Sequence, residues 1–365
     1  MKINNLRASS IGEYHNCEFK YYLHYDLGLV STGNAAAEKG TLCHLCLELM
    51  AKAKRIHRLK GKRGKPKGKR VNPEYLLDIV FKRFQKNSRF NLGDEEKEFC
   101  RKQVQNALAV PFINPLNLKV LRTEHQFEIT IKKPGFLIQG TGEYLKLRGT
   151  IDLITEQDKD TIHIIDYKTG KSTDWITGED KTHEKLKTDT QLRMYDLAIK
   201  YLYPQYKNRI FTLFFTQESK PVTISYDSDE WTKTLEEFRG IFKQIQSNNN
   251  PTRLIDIKVS DQWKCNYVCQ FGELAVKFQS DDGQIIIENF RKKKGMVIPD
   301  EIVRDNISYK KLPGYPETVC QKLYKKFNKL GMDEFRNEMT QITINGKVSA
   351  RNDYSNPKLT RLEIT

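Results

Sequence analysis

No apolar run in this chain is long enough to cross a bilayer, which excludes a helical membrane anchor within it. Met1 to Ser10 is short and polar and lacks the apolar centre of a secretory signal, so the expected location is the cytoplasm. There is no G-x4-GK[ST] loop, and hence no P-loop ATP motor. A disulfide framework is also missing. The seven cysteines are odd in number and unpaired in spacing, which suits a reducing compartment. Acid is in short supply: 46 Asp and Glu face 62 Lys and Arg, leaving a formal charge of +16. Such an excess calls for a polyanionic partner, nucleic acid first, although a lysine-rich composition can also serve solubility alone. Tryptophan is scarce at 3, but 18 Phe and 17 Tyr supply a substantial core. A length of 365 residues allows one large domain with an appendage, or two domains.

What is present is organised around Gly149 to Lys171, GTIDLITEQDKDTIHIIDYKTGK. Two β-branched runs, Thr150–Thr155 and Thr161–Tyr167, flank the polar stretch Glu156–Asp160, and this pattern predicts a hairpin. Symmetry about Lys159 sets Asp152 opposite Asp166, close enough for both carboxylates to share a cation. Strand alternation puts Lys168 on the face of Asp166. Carboxylates embedded among Ile and Leu are costly unless paired or metal-bound, which disfavours reading the segment as an ordinary surface hairpin.

Other stretches group around it. Residues 9 to 30 carry Tyr14, Cys17 and Tyr21 at helical spacing, and Gly40-Thr41 opens a helix with His44 and Glu48 one turn apart. Lys52 to Arg70 contains eleven Lys or Arg and no acid, so it is either a solvated loop or a phosphate-contacting arm, with Lys60, Lys62 and Arg63 at its centre. Helices are predicted over 73–90 and 94–108, a strand over 120–132 and a short strand over 136–139. After the hairpin, Asp189 or Thr190 starts a helix bearing Gln191 and Tyr195, stopped by Pro204. Strands over 210–215 and 222–226, and a helix from 230 to about 246, follow. A composition shift near residue 280 precedes a basic tail with a strand over 284–287 and a largely helical stretch over 315–339.

The ordered set is His44 on a Gly-Thr-led helix, Asp152 on a strand, Asp166-Tyr167-Lys168-Thr169-Gly170, then Gln191-x3-Tyr195. This order resembles the PD-(D/E)XK nuclease superfamily over about residues 9–270. It resembles more narrowly the RecB-type branch, with the AddB nuclease domain and the CRISPR adaptation nucleases. The resemblance implies His44, Asp152 and Asp166 as metal ligands, joined by the Tyr167 carbonyl. It implies Lys168 as the group that orients or deprotonates the attacking water, and Gln191 and Tyr195 as supports that touch the DNA backbone. Mg²⁺ or Mn²⁺ is the implied cofactor, the histidine favouring Mn²⁺. Glu124 or Glu128 is a candidate for orienting the metal's waters.

Many members of that branch carry a four-cysteine iron–sulfur cluster. Cys17 matches its first ligand, and Cys265 and Cys269 resemble the next two, at C-x3-C where C-x2-C is usual. The expected final cysteine is missing from Gly272 to Val276. Buried packing is therefore favoured over a cluster, with a zinc site completed by His15 third.

The expectation is an α/β, restriction-endonuclease-like core: a small mixed sheet flanked by helices, spanning residues 1–279 with a basic insertion at 52–70, and a C-terminal extension at 280–365. The expected activity is a metal-dependent DNase, an exonuclease on DNA ends or single strands in recombination, repair or phage DNA metabolism. DNA is its partner, with a separate helicase or recombination protein beside it and no membrane. The alternative is a catalytically silent DNA-binding or assembly subunit of the same fold. A ribonuclease is a third reading.

Overall fold

The computed structural model describes residues 1–29, 35–61, 72–87, 93–138, 141–173, 178–226, 230–258, 260, 262–267, 269, 271–290, 297–314, 317–345 and 360–364. In chain order the elements begin with β1 (Asn5–Arg7), α1 (Ala8–Asn16), α2 (Glu18–Tyr21) and a π-helical turn (Tyr22–Asp26). There follow α3 (Ala35–Gly61), α4 (Pro73–Asn87), α5 (Asp94–Ala109), β2 (Lys119–Ile131), β3 (Lys146–Glu156) and β4 (Thr161–Lys168). Next come α6 (His183–Lys187), α7 (Thr190–Leu202), β5 (Asn208–Phe215), β6 (Lys220–Ser225), α8 (Glu230–Ser247), α9 (Leu254–Ile257) and α10 (Gln262–Tyr267). The last are β7 (Leu274–Ser280), β8 (Ile285–Phe290), β9 (Glu301–Arg304), β10 (Ile307–Lys311), β11 (Glu317–Thr318), α11 (Val319–Leu330), α12 (Met332–Asn345) and β12 (Thr360–Ile364).

The chain forms two compact units. One comprises residues 4–9, 33–242 and 353–365. Its sheet runs β12-β2-β3-β4-β5-β6, with β1 also on β3, and is mixed: β4–β5, β1–β3 and β12–β2 are parallel. The β3–β4 hairpin forms because β-branched runs flank a polar tip. Its register sets Leu153 on Ile165, one step from Asp152 opposite Asp166, as symmetry about Lys159 predicts. Leu153, Ile165, Tyr167 and Phe214 pack against α3, α4 and α5 around Leu42, Leu77, Phe81 and Val104. Alternation therefore turns Asp152, Asp166 and Lys168 away from that core.

α7 starts where Asp189 accepts hydrogen bonds from the amides of Gln191 and Leu192, satisfying two otherwise orphan donors. The strand expected over 136–139 reduces, among the described residues, to a single bridge between Leu137 and Tyr144. A Pro-Gly turn explains the loss, since Gly135 has φ +88° and leaves too short a run to pair.

The other unit comprises residues 1–3, 10–32 and 243–352. It holds a second sheet, β11-β7-β10-β9 with β8 on β7, whose inner face gathers Leu274, Val276, Phe278 and Tyr309. Position 280 ends β7, whose partners lie C-terminal to it within the same sheet. Phe19, Tyr22, Phe327 and Phe335 form an aromatic cluster, with ring centroids 5.5 Å apart for Phe19–Phe327 and 5.7 Å for Phe327–Phe335.

Candidate metal centre and its lysine

α3 delivers His44 because it passes close to the end of β4. A Cβ on Gly40 would stand 3.0 Å from Thr169 Oγ1, so the two elements are packed closely enough that a larger residue there would press on the threonine. The His44 ring lies edge-on to Tyr167, and its Nδ1 is 3.3 Å from Asp152 Oδ2. The Tyr167 amide donates to the same Asp152 oxygen at 2.9 Å.

Glu124 supplies the third group. Thr123 pairs with Leu153 and His125 with Ile151, which puts Glu124 across from Asp152 on β2. At φ +45° Glu124 occupies the left-handed region, a cost on the order of 1–3 kcal/mol for a non-glycine residue. Ligand atoms of His44, Glu124 and Asp152 all lie within 4.8 Å of one another. Glu128, the other candidate on this strand, is instead buried in an ion pair, accepting from Arg148 Nε at 2.6 Å.

Beside this group, Lys168 Nζ lies 2.6 Å from Asp166 Oδ2 and donates to Gln191 Oε1 at 2.9 Å. Gln191 Nε2 donates to Asp166 Oδ1 at 3.0 Å and to the Tyr195 hydroxyl at 2.6 Å. The Tyr195 hydroxyl donates to the Thr150 carbonyl, and its ring meets Phe127, which lies over Gly149. Gln191 and Tyr195 thus hold the Lys168–Asp166 pair from α7.

Crowded acid shows in the proton affinities. Burial, then the charge of Asp152, raises Glu124 to about 8. Burial raises Asp166 to about 6, against the opposing pull of Lys168. Burial works against charging His44, but hydrogen bonding and attraction to Asp152 lift it to about 8. Burial opposes the charge of Lys168 too, yet the Asp166 carboxylate raises its pKa above the ordinary lysine value. Two oxygen donors and one imidazole, held together by buried structure with a further carboxylate beside them, fit a hard or borderline divalent cation such as Mg²⁺ or Mn²⁺.

The remaining sequence candidates fall elsewhere. Lys60 belongs to the backbone of α3, while Lys62 and Arg63 lie outside the described residues. Cys17, Cys265 and Cys269 line one small cavity in the other compact unit, together with Cys320 from α11. His15 is exposed and does not line it. Among the described residues, no helix is long and apolar enough to cross a membrane.

Residues 5–274, most of the chain, match the PD-(D/E)XK nuclease superfamily, and the chain belongs to it. Two solved structures are similar. One is described as a "Putative exonuclease" from Eubacterium rectale, with 10% identity over 71% of this chain and 88% of that one, at a TM-score of 0.43. The other is SSO0001, with 14% identity over 74% of this chain and 85% of that one, at a TM-score of 0.31. No curated protein matches the chain in sequence.

Proposed function

We propose that this nuclease is a divalent-metal-dependent deoxyribonuclease of the RecB-type branch, acting as an exonuclease on DNA ends or single strands. The observation that carries the reading is the convergence of His44, Glu124 and Asp152 within 4.8 Å, beside the Lys168–Asp166 pair. His44, Glu124 and Asp152 would hold the ion, with Asp166 and the Tyr167 carbonyl completing the shell. A divalent ion held there supplies a water acidic enough to attack at neutral pH and charge neutralisation on the phosphate oxygens.

The chain's own residues do the rest. Lys168 keeps its proton beside Asp166 and offers it as a positive charge to the attacking water and the crowded phosphate. Gln191 fixes Lys168 and Asp166 at once, so neither needs to reorganise during the reaction. Tyr195 anchors Gln191 to the β3 backbone at Thr150. The net charge of +16 supports a polyanionic substrate. With no P-loop motor in the sequence, a separate helicase or recombination protein is the proposed companion in DNA recombination, repair or phage DNA metabolism.

The test is cleavage of end-labelled linear single- and double-stranded DNA, with a closed circle as control, in Mg²⁺, in Mn²⁺ and in chelator. Metal-dependent loss of label from linear DNA that vanishes in Lys168→Ala is expected. Binding without cleavage in either metal would instead support a silent DNA-binding subunit, and cleavage of closed circles would overturn the exonuclease assignment.

A further inference from the structure

The first sheet changes character along its length. Beneath α3, α4 and α5 one face is apolar, with Leu153, Ile165, Tyr167 and Phe214. Toward the tip of the β3–β4 hairpin the same face becomes polar. Strand alternation sets Thr155 next after Leu153, His163 next to Ile165 and Thr212 next to Phe214. All three are buried, His163 at 5% exposure. They form the floor of a cavity of about 520 Å³, walled by Phe112 from the loop after α5 and by Thr223 on β6. Small-molecule sites occupy about 300–1,000 Å³.

Hydrogen bonds tie this floor together and leave one group over. The Thr155 hydroxyl donates to the His163 carbonyl at 3.0 Å. His163 Nε2 meets the Thr212 hydroxyl at 2.7 Å, and that hydroxyl meets Thr223 Oγ1 at 2.8 Å. His163 Nδ1 has no partner among the described residues and is not sealed from solvent, so it opens to the cavity. Burial pushes the proton affinity of the ring down to about 4, which leaves it neutral with a single N–H. If Thr212 donates to Nε2, the proton is on Nδ1 and Nδ1 donates. If Nε2 donates to Thr212, and Thr212 in turn to Thr223, Nδ1 accepts. The two threonines thus let one buried nitrogen match either a donor or an acceptor.

Charge at the cavity is already cancelled. Lys119 and Glu156 line it and pair with each other, and the Tyr206 hydroxyl donates to the second Glu156 oxygen at 2.9 Å. A neutral ligand therefore fits better than an anion, whose charge would lack a free partner there. Phe112 is 47% exposed and supplies an aromatic surface for stacking. A neutral, flat molecule that stacks on a ring and carries donors and acceptors on its edge is a nucleobase, the chemistry a nuclease meets in every substrate. We propose that this cavity binds a single nucleobase, carried by a free nucleoside or nucleotide, with His163 Nδ1 meeting its edge and Phe112 stacking on it. The site is distinct from the metal centre. Thr155 and His163 stand three residues from Asp152 and Asp166, about 10 Å along the strands, and the odd spacing puts them on the opposite face.

The test needs no DNA cleavage, so its outcome is separate from that of the nuclease assay. The full chain, in chelator and with its histidines labelled with ¹⁵N, is titrated with adenosine, guanosine, cytidine and thymidine and with their 5′-monophosphates. Ribose 5-phosphate and inorganic phosphate are the controls. At least one nucleoside is expected to saturate at one per chain, to bind about as well as its monophosphate and to move the Nδ1 resonance of His163. Thr212→Val and Phe112→Ala should each weaken that binding roughly 10-fold, and Lys168→Ala should leave it unchanged. Because Thr212 is buried and its variant can disturb the sheet, the exposed Phe112 carries the decision. No nucleoside bound at millimolar concentration, binding confined to monophosphates or shared by ribose 5-phosphate or phosphate, an unmoved His163 resonance, or full affinity in Phe112→Ala would each overturn the proposal.

Discussion

Glu124 is the residue on which the site turns. A carboxylate in left-handed backbone, facing Asp152 and beside His44, is held there at a local cost that folding must offset. Glu124→Gln should weaken divalent-metal binding at least about 10-fold while leaving the β2–β3 ladder intact. Calorimetric titration with Mn²⁺ checks the affinity, and circular dichroism checks the fold. The proton affinities add a pH signature. Glu124 and Asp166 sit at about 8 and 6, above ordinary carboxylates, and His44 at about 8, above free histidine. All three are raised, so the folded chain binds more protons than the unfolded chain between the two sets of values. Stability in chelator should therefore fall as pH rises from about 5 to 8. A saturating divalent cation should flatten that fall, because it replaces the protons. Thermal melts across this pH range, with and without Mg²⁺, measure both effects. A stability that rises with pH in chelator would contradict the assigned proton affinities.

At the scale of elements, close approaches matter more than propensity. A Cβ on Gly149 would stand 2.5 Å from Phe127 Cζ, so Gly149→Ala must push the ring that supports Tyr195. The expected cost is about 1–3 kcal/mol in urea unfolding, with reduced cleavage through the displaced Tyr195. Such packing also explains what could be read from sequence. The β3–β4 hairpin, Asp152 facing Asp166, Lys168 beside it and Gln191 with Tyr195 on α7 were legible because short-range periodicity and a tight turn set them. The pairing of Glu124 with Asp152 was not. It depends on an irregular register between Val120 and Arg122 and on the link from Ile131 to Lys146, neither of which leaves a local pattern. Cys320 escaped for a similar reason: a whole sheet separates it in sequence from the cysteines it joins. Glu124 and Glu128 looked equivalent until Arg148 claimed the second, buried, carboxylate.

For the whole molecule, charge is the readable quantity. With +16 overall and the Lys52–Arg70 run free of acid, DNA binding should be steep in salt. Replacing Lys60, Lys62 and Arg63 together with Gln should weaken binding alike on unrelated sequences. It should also reduce the slope of log K against log salt by about 2–3, near one per lost phosphate contact. Fluorescence anisotropy over a salt series reads this directly, and a sequence-selective loss would assign the run a different role.

The two compact units also differ in when most of their chain is made, only the edge strand β12 of the first arriving last. The strands β2 to β6 come from one continuous stretch, Lys119 to Ser225. The unit holding the four gathered cysteines draws on residues 10–32 and on 243–352. Its N-terminal segment therefore leaves the ribosome early and remains without its aromatic partners until Phe327 and Phe335 have been made. At about 5–20 residues per second, the interval between Ser225 and Phe335 is roughly 5–20 s. During that time Phe19, Tyr21 and Tyr22, all buried in the finished protein, are exposed to solvent or to a chaperone. Arrested nascent chains ending well before and well after residue 335 should thus differ in protease sensitivity near the N-terminus, giving this protein a distinct order of assembly during its own synthesis.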